Sequence, residues 1–270
     1  KDQSGNTVLR SVITGEDNTA SNIINTIISG KQNTLSSDNY SSVTGYNNTL
    51  TTTTGTVVAG DSNILTNTKR DIVQGLSNQV TNSLDTVMVG ESHVSTNSDR
   101  NAIFGYNQTM TSSKNSVVSG NTNTETTGNN NATFGNLNSV SSTSNTIAAG
   151  KSNTVSDSSN CQIMGDTNTS SNVDNSIIIG KSNTINDVSN AAVFGLSNQV
   201  KTTTLNSLVS GKSHIETTGT NNALFGEEHT TITSTNTLST GKSHDITTAT
   251  QSLISGKDNS ANTIINTFIT

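Results

Sequence analysis

Apolar residues in this chain stand at fixed distances from a recurring glycine, as a pair just before it and a single one shortly after. The stretch Asn175-Ser176-Ile177-Ile178-Ile179-Gly180-Lys181-Ser182-Asn183-Thr184-Ile185 shows the arrangement, and nearly every other part of the chain is a variant of it. The first strand signal is Asn-Ser/Thr followed by two aliphatics, as in Asn115-Ser116-Val117-Val118 or Asn145-Thr146-Ile147-Ala148. The second is Asn-Thr-aliphatic, as in Asn153-Thr154-Val155 or Asn33-Thr34-Leu35, and polar turn residues such as Ser156-Asp157-Ser158-Ser159 follow it. Two short strands per repeat are predicted.

The glycines set the period. They fall at Gly15, Gly30, Gly45, Gly60, Gly75, Gly90, Gly105, Gly120, Gly135, Gly150, Gly165, Gly180 and Gly195, slip by one residue to Gly211, then continue at Gly226, Gly241 and Gly256. A 15-residue repeat over 270 residues is 18 coils, which predicts an all-β parallel solenoid as one array over 1–270. A triangular coil of equal faces needs a third apolar column. The candidate positions hold Asp38, Thr53, Thr68, Ser83, Ser98, Ser113, Gly128 and Thr143, so the expected shape is a flattened two-strand β-roll. Lys1 and Thr270 fall on either side of a repeat-glycine position with no atypical capping coil, so the chain reads as an excerpt of a longer fibre. Duplication within the array also shows: Asp17-Asn18-Thr19-Ala20-Ser21-Asn22 is echoed by Asp258-Asn259-Ser260-Ala261-Asn262-Thr263.

Alternation assigns faces. In the second strand Asn153 and Val155 point to the coil interior, while Thr154 and Ser156 point out. In the first strand the aliphatics are adjacent, as in Ile27-Ile28 and Ile177-Ile178, so both faces are apolar and the outer one needs a partner. A closed homo-oligomer with that strand turned to its axis is the simplest source of burial.

Composition narrows the function classes. Hydrophobic residues are 28%, charged residues 12% and prolines absent, and the wealth of Asn, Thr, Ser and Gly differs from the charge-rich, proline-rich composition of disordered chains. The net charge of −6 comes with no basic cluster, so a nucleic-acid footprint is absent, and no apolar run is long enough for a membrane span. Cys161 is alone, which excludes an internal disulfide, and it reads as a small residue tolerated in a strand.

Three residues after the glycine runs a column of Asn18, Asn33, Asn48, Asn63, Asn78, His93, Gln108, Asn123, Asn138, Asn153, Asn168, Asn183, Asn198, His214, His229, His244 and Asn259. Side-chain amides stacked at the strand spacing of ~4.8 Å hydrogen-bond from coil to coil, so this column reads as a structural ladder. All four histidines lie in it. Imidazoles stacked at that spacing are poorly placed to share one zinc at roughly 2.0–2.1 Å, so no metal and no cofactor is expected. A second ladder, five residues before the glycine, includes Asn115, Asn130, Asn145, Asn160, Asn175 and Asn190. Aspartates and glutamates are expected in solvated turns. The glycines are single and accompany no phosphate-binding loop, and no nucleophile or paired-carboxylate arrangement breaks the repeat, so the chain is not expected to be an enzyme.

The outward residues of the second strand form a partly regular array: Thr34-x-Ser36, Thr49-x-Thr51, Thr109-x-Thr111 and Thr154-x-Ser156. It looks like the face of insect ice-binding solenoids with 15-residue coils, although Ile64, Gln79, Val94 and Asp245 interrupt the rows and that family's cysteines are missing. The core Asn175-Ser176-Ile177-Ile178-Ile179-Gly180-Lys181-Ser182-Asn183 resembles the repeat of YadA-like heads in trimeric autotransporter adhesins, typically Asn-Ser-Val-Ala-Ile-Gly-x-x-Ser. That resemblance implies a left-handed parallel β-roll, three chains around a common axis, and a cell-surface or extracellular protein that binds matrix or other cells. Departures are the longer coil and asparagine in place of serine. The expected function is therefore a structural and adhesive fibre segment, with an ice-binding solenoid and a viral or phage fibre shaft as alternatives. Sequons at Asn39, Asn47, Asn107, Asn131 and Asn168 permit glycosylation in a eukaryotic source.

Overall fold

In the computed structural model the backbone is described from residue 4 and side chains from residue 7, in both cases to residue 270. Lys1, on which part of the excerpt expectation rests, lies outside the described residues. The chain forms a parallel β-solenoid of about 17 turns, with no helix among the described residues. It divides into two compact units, Lys1–Asn136 and Leu137–Thr270.

Within the first unit each coil pairs with the next at a constant offset. Ile72–Leu76 lies between Val57–Asp61 and Val87–Glu91, all parallel, so that Gly60, Gly75 and Gly90 are direct neighbours. On the opposite side Gln79–Thr81 lies between Ile64–Thr66 and Val94–Thr96. The second unit repeats the arrangement, with Ile177–Lys181 between Gln162–Asp166 and Ala192–Leu196.

The coil is not simply two-sided. A short third side forms nine residues after the glycine, where Asn39, Thr54 and Lys69 make single parallel bridges to one another. In the second unit this side merges into longer strands, such as Thr169–Asp174 and Thr184–Ser189. The positions that lacked an apolar column do face the interior: Asp38, Thr53, Thr68, Ser83, Ser98 and Ser113 are all buried. Counting only aliphatics missed this side, because hydroxyls and a carboxylate that bond one another line the narrow interior as well as methyl groups do. Ser41 Oγ donates to Asp38 Oδ1 at 2.7 Å, Thr26 Oγ1 donates to Asp38 Oδ2 at 3.2 Å, and Thr53 Oγ1 also donates to Asp38. Where side chains are apolar at this position, as at Ile23, Val173 and Val188, they are also buried.

Three corners per coil carry residues in the left-handed region. In the Gly180 coil they are Ser182, Asp187 and Asn190, at φ of 56°, 56° and 57°. Asn and Asp tolerate this conformation better than other residues with a Cβ, and serine, like them, can bond nearby backbone at a turn, which explains the polar corners of the repeat. The apolar core is built mainly on two columns, to which the third side adds Ile23, Val173 and Val188. One column lies two residues before the glycine (Val58, Val73, Met88 and Ile103, for example) and the other five after it (Leu35, Leu50, Leu65 and Val80).

Candidate functional site

The glycine and asparagine columns form one hydrogen-bonded device. Asn183 donates from its backbone N–H to Asn168 Oδ1 at 3.1 Å, and from Nδ2 both to the same oxygen at 3.0 Å and to Gly195 O at 3.0 Å. Asn33 does the same towards Asn18 and Gly45 in the first unit. The carbonyls are reachable because the glycines pack closely: a Cβ on Gly180, at φ +138°, would sit 1.9 Å from Gly195 O. The ladder side chains from Asn18 to His244 are fully buried, as the alternation requires, and Asn259 is half-buried.

Histidine continues the ladder where its ring can copy the amide. His93 Nδ1 accepts the backbone N–H of Gln108 at 3.1 Å and Nε2 lies 3.2 Å from Val89 O, which makes Nε2 the protonated nitrogen. In the second unit the copy lapses. His214 Nδ1 and both ring nitrogens of His229 have no hydrogen-bond partner; the His214 and His229 rings meet edge to face with centroids 4.7 Å apart, and those of His229 and His244 stack at 4.5 Å. Burial lowers the pKa of His93 and His214 and brings that of His229 down to about 4. Among the described residues no group of three His, Cys, Asp or Glu is arranged to hold a metal ion.

The expectation that acidic residues occupy solvated turns needs correcting: Asp38, Asp71, Glu125 and Glu216 are fully buried. Glu125 and Glu216 occupy the inward apolar column five residues after the glycine. Each is followed three residues later by a glycine, Gly128 or Gly219, whose missing side chain makes room for it. Asn131 Nδ2 donates to Glu125 Oε1 at 3.2 Å, and Asn222 Nδ2 donates to Glu216 Oε1 at 2.7 Å, while Oε2 of both glutamates is unpartnered. Burial raises both pKa values and pushes that of Asp71 up to about 7. The sequence did carry a signal, the repeated Glu-Thr-Thr-Gly, but at single-repeat level it reads as a turn.

The asparagines five residues before the glycine are corner residues on the exterior. Asn145 Nδ2 donates to Asn160 Oδ1, and Asn160 Nδ2 to Asn175 Oδ1, both at 3.0 Å, in full exposure to solvent. The inserted residue near Gly211 is absorbed at Thr202 and Thr203, both at φ 51°, beside a groove of about 340 Å³ that includes Asp174 and Asp187. Of the sequons, Asn131 and Asn168 are buried, whereas Asn47 and Asn107 are exposed. Cys161 is buried, its Sγ donating to Ser159 O and Val173 O, and burial raises its pKa, so the thiol is inert.

The outer face of the first strand is apolar and exposed in both units. Val57 and Ile72 in the first, and Ile147, Ile177 and Leu238 in the second, each leave more than a third of their surface in solvent. Phe104, Phe134 and Phe225 add aromatic surface two positions further along. The outer face of the second strand carries in-register Thr34 and Thr49, with Ser36 and Thr51 beside them.

No protein-family model matches this chain, and no curated protein matches it. Among solved structures, one described as an acetyltransferase from Desulfovibrio desulfuricans G20 aligns at 7% identity and a TM-score of 0.19, covering 96% of this chain and 67% of its own. Similarity at that level bears on neither fold nor activity.

Proposed function

We propose that this chain is a non-catalytic structural and adhesive segment of an extracellular or cell-surface fibre, assembled as a homotrimer of left-handed rolls. The observation that carries this reading is the apolar outer face of the first strand. A monomeric soluble protein rarely leaves large contiguous apolar surface in water, and a strand apolar on both faces belongs in a double-sided environment. A second and a third copy supply that environment on a closed axis. The remaining surface, built from near-identical coils, suits many weak contacts to matrix or cell-surface ligands in parallel, so that adhesion comes from avidity.

Light scattering of the full chain, with far-UV circular dichroism alongside, tests the assembly. A three-chain mass is expected, with Ile147→Lys and Ile177→Lys together giving smaller species that keep the β spectrum. A folded wild-type monomer would overturn it. Binding to matrix-coated surfaces, measured for trimer and for the dissociated variant, tests avidity: the variant should lose most of its retention.

A second reading rests on the in-register outward threonines of the second strand. Rows of hydroxyl and methyl groups at a regular strand spacing suit ordered water, and a thermal-hysteresis assay separates this reading from adhesion.

A further inference from the structure

Within the second unit the hydrophobic core is interrupted. One cluster of buried apolar residues ends at Leu224 and the next begins at Ile246. Between Val209 and Ile246 the inward positions that are aliphatic in other coils hold Glu216, Thr231 and Ser239, with Leu224 the one aliphatic left, and the position eight residues after the glycine holds Gly219 and Ser234. Through this polar section run His214, His229 and His244, fully buried, the first pair of rings edge to face and the second pair stacked.

We propose that the coils of Gly211, Gly226 and Gly241 form an acid-opened section of the solenoid, with the buried, mutually contacting histidines as its proton sensor. In the neutral state the rings pack as small aromatic plates. Neither ring nitrogen of His229 makes a hydrogen bond, and although the Gly241 carbonyl favours a proton on this ring, its burial disfavours one more strongly and its neighbours in the column are two further imidazoles. The only other inward-facing titratable group of these coils is Glu216, whose Oε1 is already engaged by Asn222 and Ser207. Burial keeps that carboxyl protonated to higher pH, so it supplies no counter-charge in acid, and its own linkage runs against the histidines by stabilising the section as pH falls. Lys212, Glu227, Glu228, Lys242 and Asp245 point outward into solvent. The other inward groups of the section, among them Asn222, Leu224, Thr231, Ser234, Thr237 and Ser239, are neutral.

The sign follows from linkage. The folded section holds His229 at about 4, against 6.5 for the free side chain, so the open form binds the proton more tightly and the section is destabilised as pH falls from 6.5 towards 4. At about pH 5 that difference favours opening roughly 30-fold from His229 alone. Section-wise opening is reasonable in a solenoid, where each coil touches only its neighbours.

Hydrogen exchange by mass spectrometry on the full chain, at about pH 7.5 and about pH 5 and corrected for intrinsic rates, tests this. Peptides within 208–248 should gain at least 10-fold in exchange at the lower pH, while peptides within 147–196 of the same unit stay unchanged. The variant His214→Asn, His229→Asn, His244→Asn, which puts the common ladder residue at each position, should lose the acceleration. Equal pH response in both regions, or an unchanged response in the variant, would overturn the proposal. Should the triple variant fold poorly, an NMR titration of the wild-type imidazoles decides the matter: a His229 midpoint well below the free value supports it, and three ordinary midpoints sink it.

Discussion

Asn168 Oδ1 receives two hydrogen bonds from Asn183, one from the backbone N–H at 3.1 Å and one from Nδ2 at 3.0 Å. One oxygen thereby fixes both the main chain and the side chain of the next coil. Asn183 in turn holds Gly195 O and offers its own Oδ1 to the backbone N–H of Asn198 at 3.0 Å. Asn183→Ala therefore orphans buried groups on both sides, and an unsatisfied buried polar group costs about 1–3 kcal/mol. Urea denaturation of this variant should show a loss of at least that size. Asn175→Gly is the control, since Asn175 is exposed at φ 52° and glycine adopts that conformation freely; its stability should change by less than about 0.5 kcal/mol.

Two glycines separate space from conformation. Gly180→Ala would drive a methyl to 1.9 Å from backbone at φ +138°, so the coils must part, and the loss should exceed about 4 kcal/mol or abolish folding. Gly55→Ala meets nothing closer than Arg70 Cγ at 3.7 Å, and only its φ of +69° opposes the change. A loss of about 1–2 kcal/mol is expected there. Thermal melts of the pair followed by circular dichroism check the contrast.

Asp71 gives the first unit a pH dependence of its own. Burial raises its folded pKa from 3.8 to about 7, so its contribution is fully present below 3.8 and is lost as pH rises through about 7. Asp71 Oδ1 accepts the Thr86 N–H at 2.7 Å, while Oδ2 has no partner. At the equivalent position two coils on, Asn101 accepts from Ser116 N and donates from Nδ2 to Ser113 O at 3.0 Å. Asp71→Asn should therefore be more stable than wild type at pH 8, and should flatten a stability profile that otherwise falls by on the order of 1 kcal/mol per pH unit between those limits. Denaturant midpoints across pH 4–8 measure it; a parallel profile for both proteins would contradict the assignment.

Glu216 and Gly219 should be energetically coupled. A methyl on Gly219 would lie 2.0 Å from Glu216 Oε1, whereas the Gly180 coil carries Ile185 and Val188 at the same two positions, both buried. Gly219→Ala alone should destabilise, and adding Glu216→Val should recover most of the loss. A double-mutant cycle is expected to give a coupling of about 1–3 kcal/mol, and additive effects would show that the carboxylate does not fill the space the glycine leaves.

The parallel stacked coils follow from sequence alone, because glycine, asparagine and aliphatics recur at one period and only a solenoid satisfies all three at once. Alternation placed Asn153 and Val155 inside, since a strand side chain has only two directions to point. Packing decided the rest. Asp38, Glu125 and Glu216 look like turn residues in any single repeat, and their burial depends on hydroxyl, amide and glycine partners up to 15 residues away in neighbouring or same-coil positions. The third short side was hidden because its inward residues are small and polar, and hydrophobic counting is blind to groups that satisfy one another in the interior. The two behaviours of histidine in one column likewise belong to three dimensions. His93 Nδ1 takes the backbone N–H of Gln108, while neither ring nitrogen of His229 makes a hydrogen bond and its ring lies against two other imidazoles, so the same residue type at the same repeat position sustains the side-chain ladder in one place and interrupts it in the other.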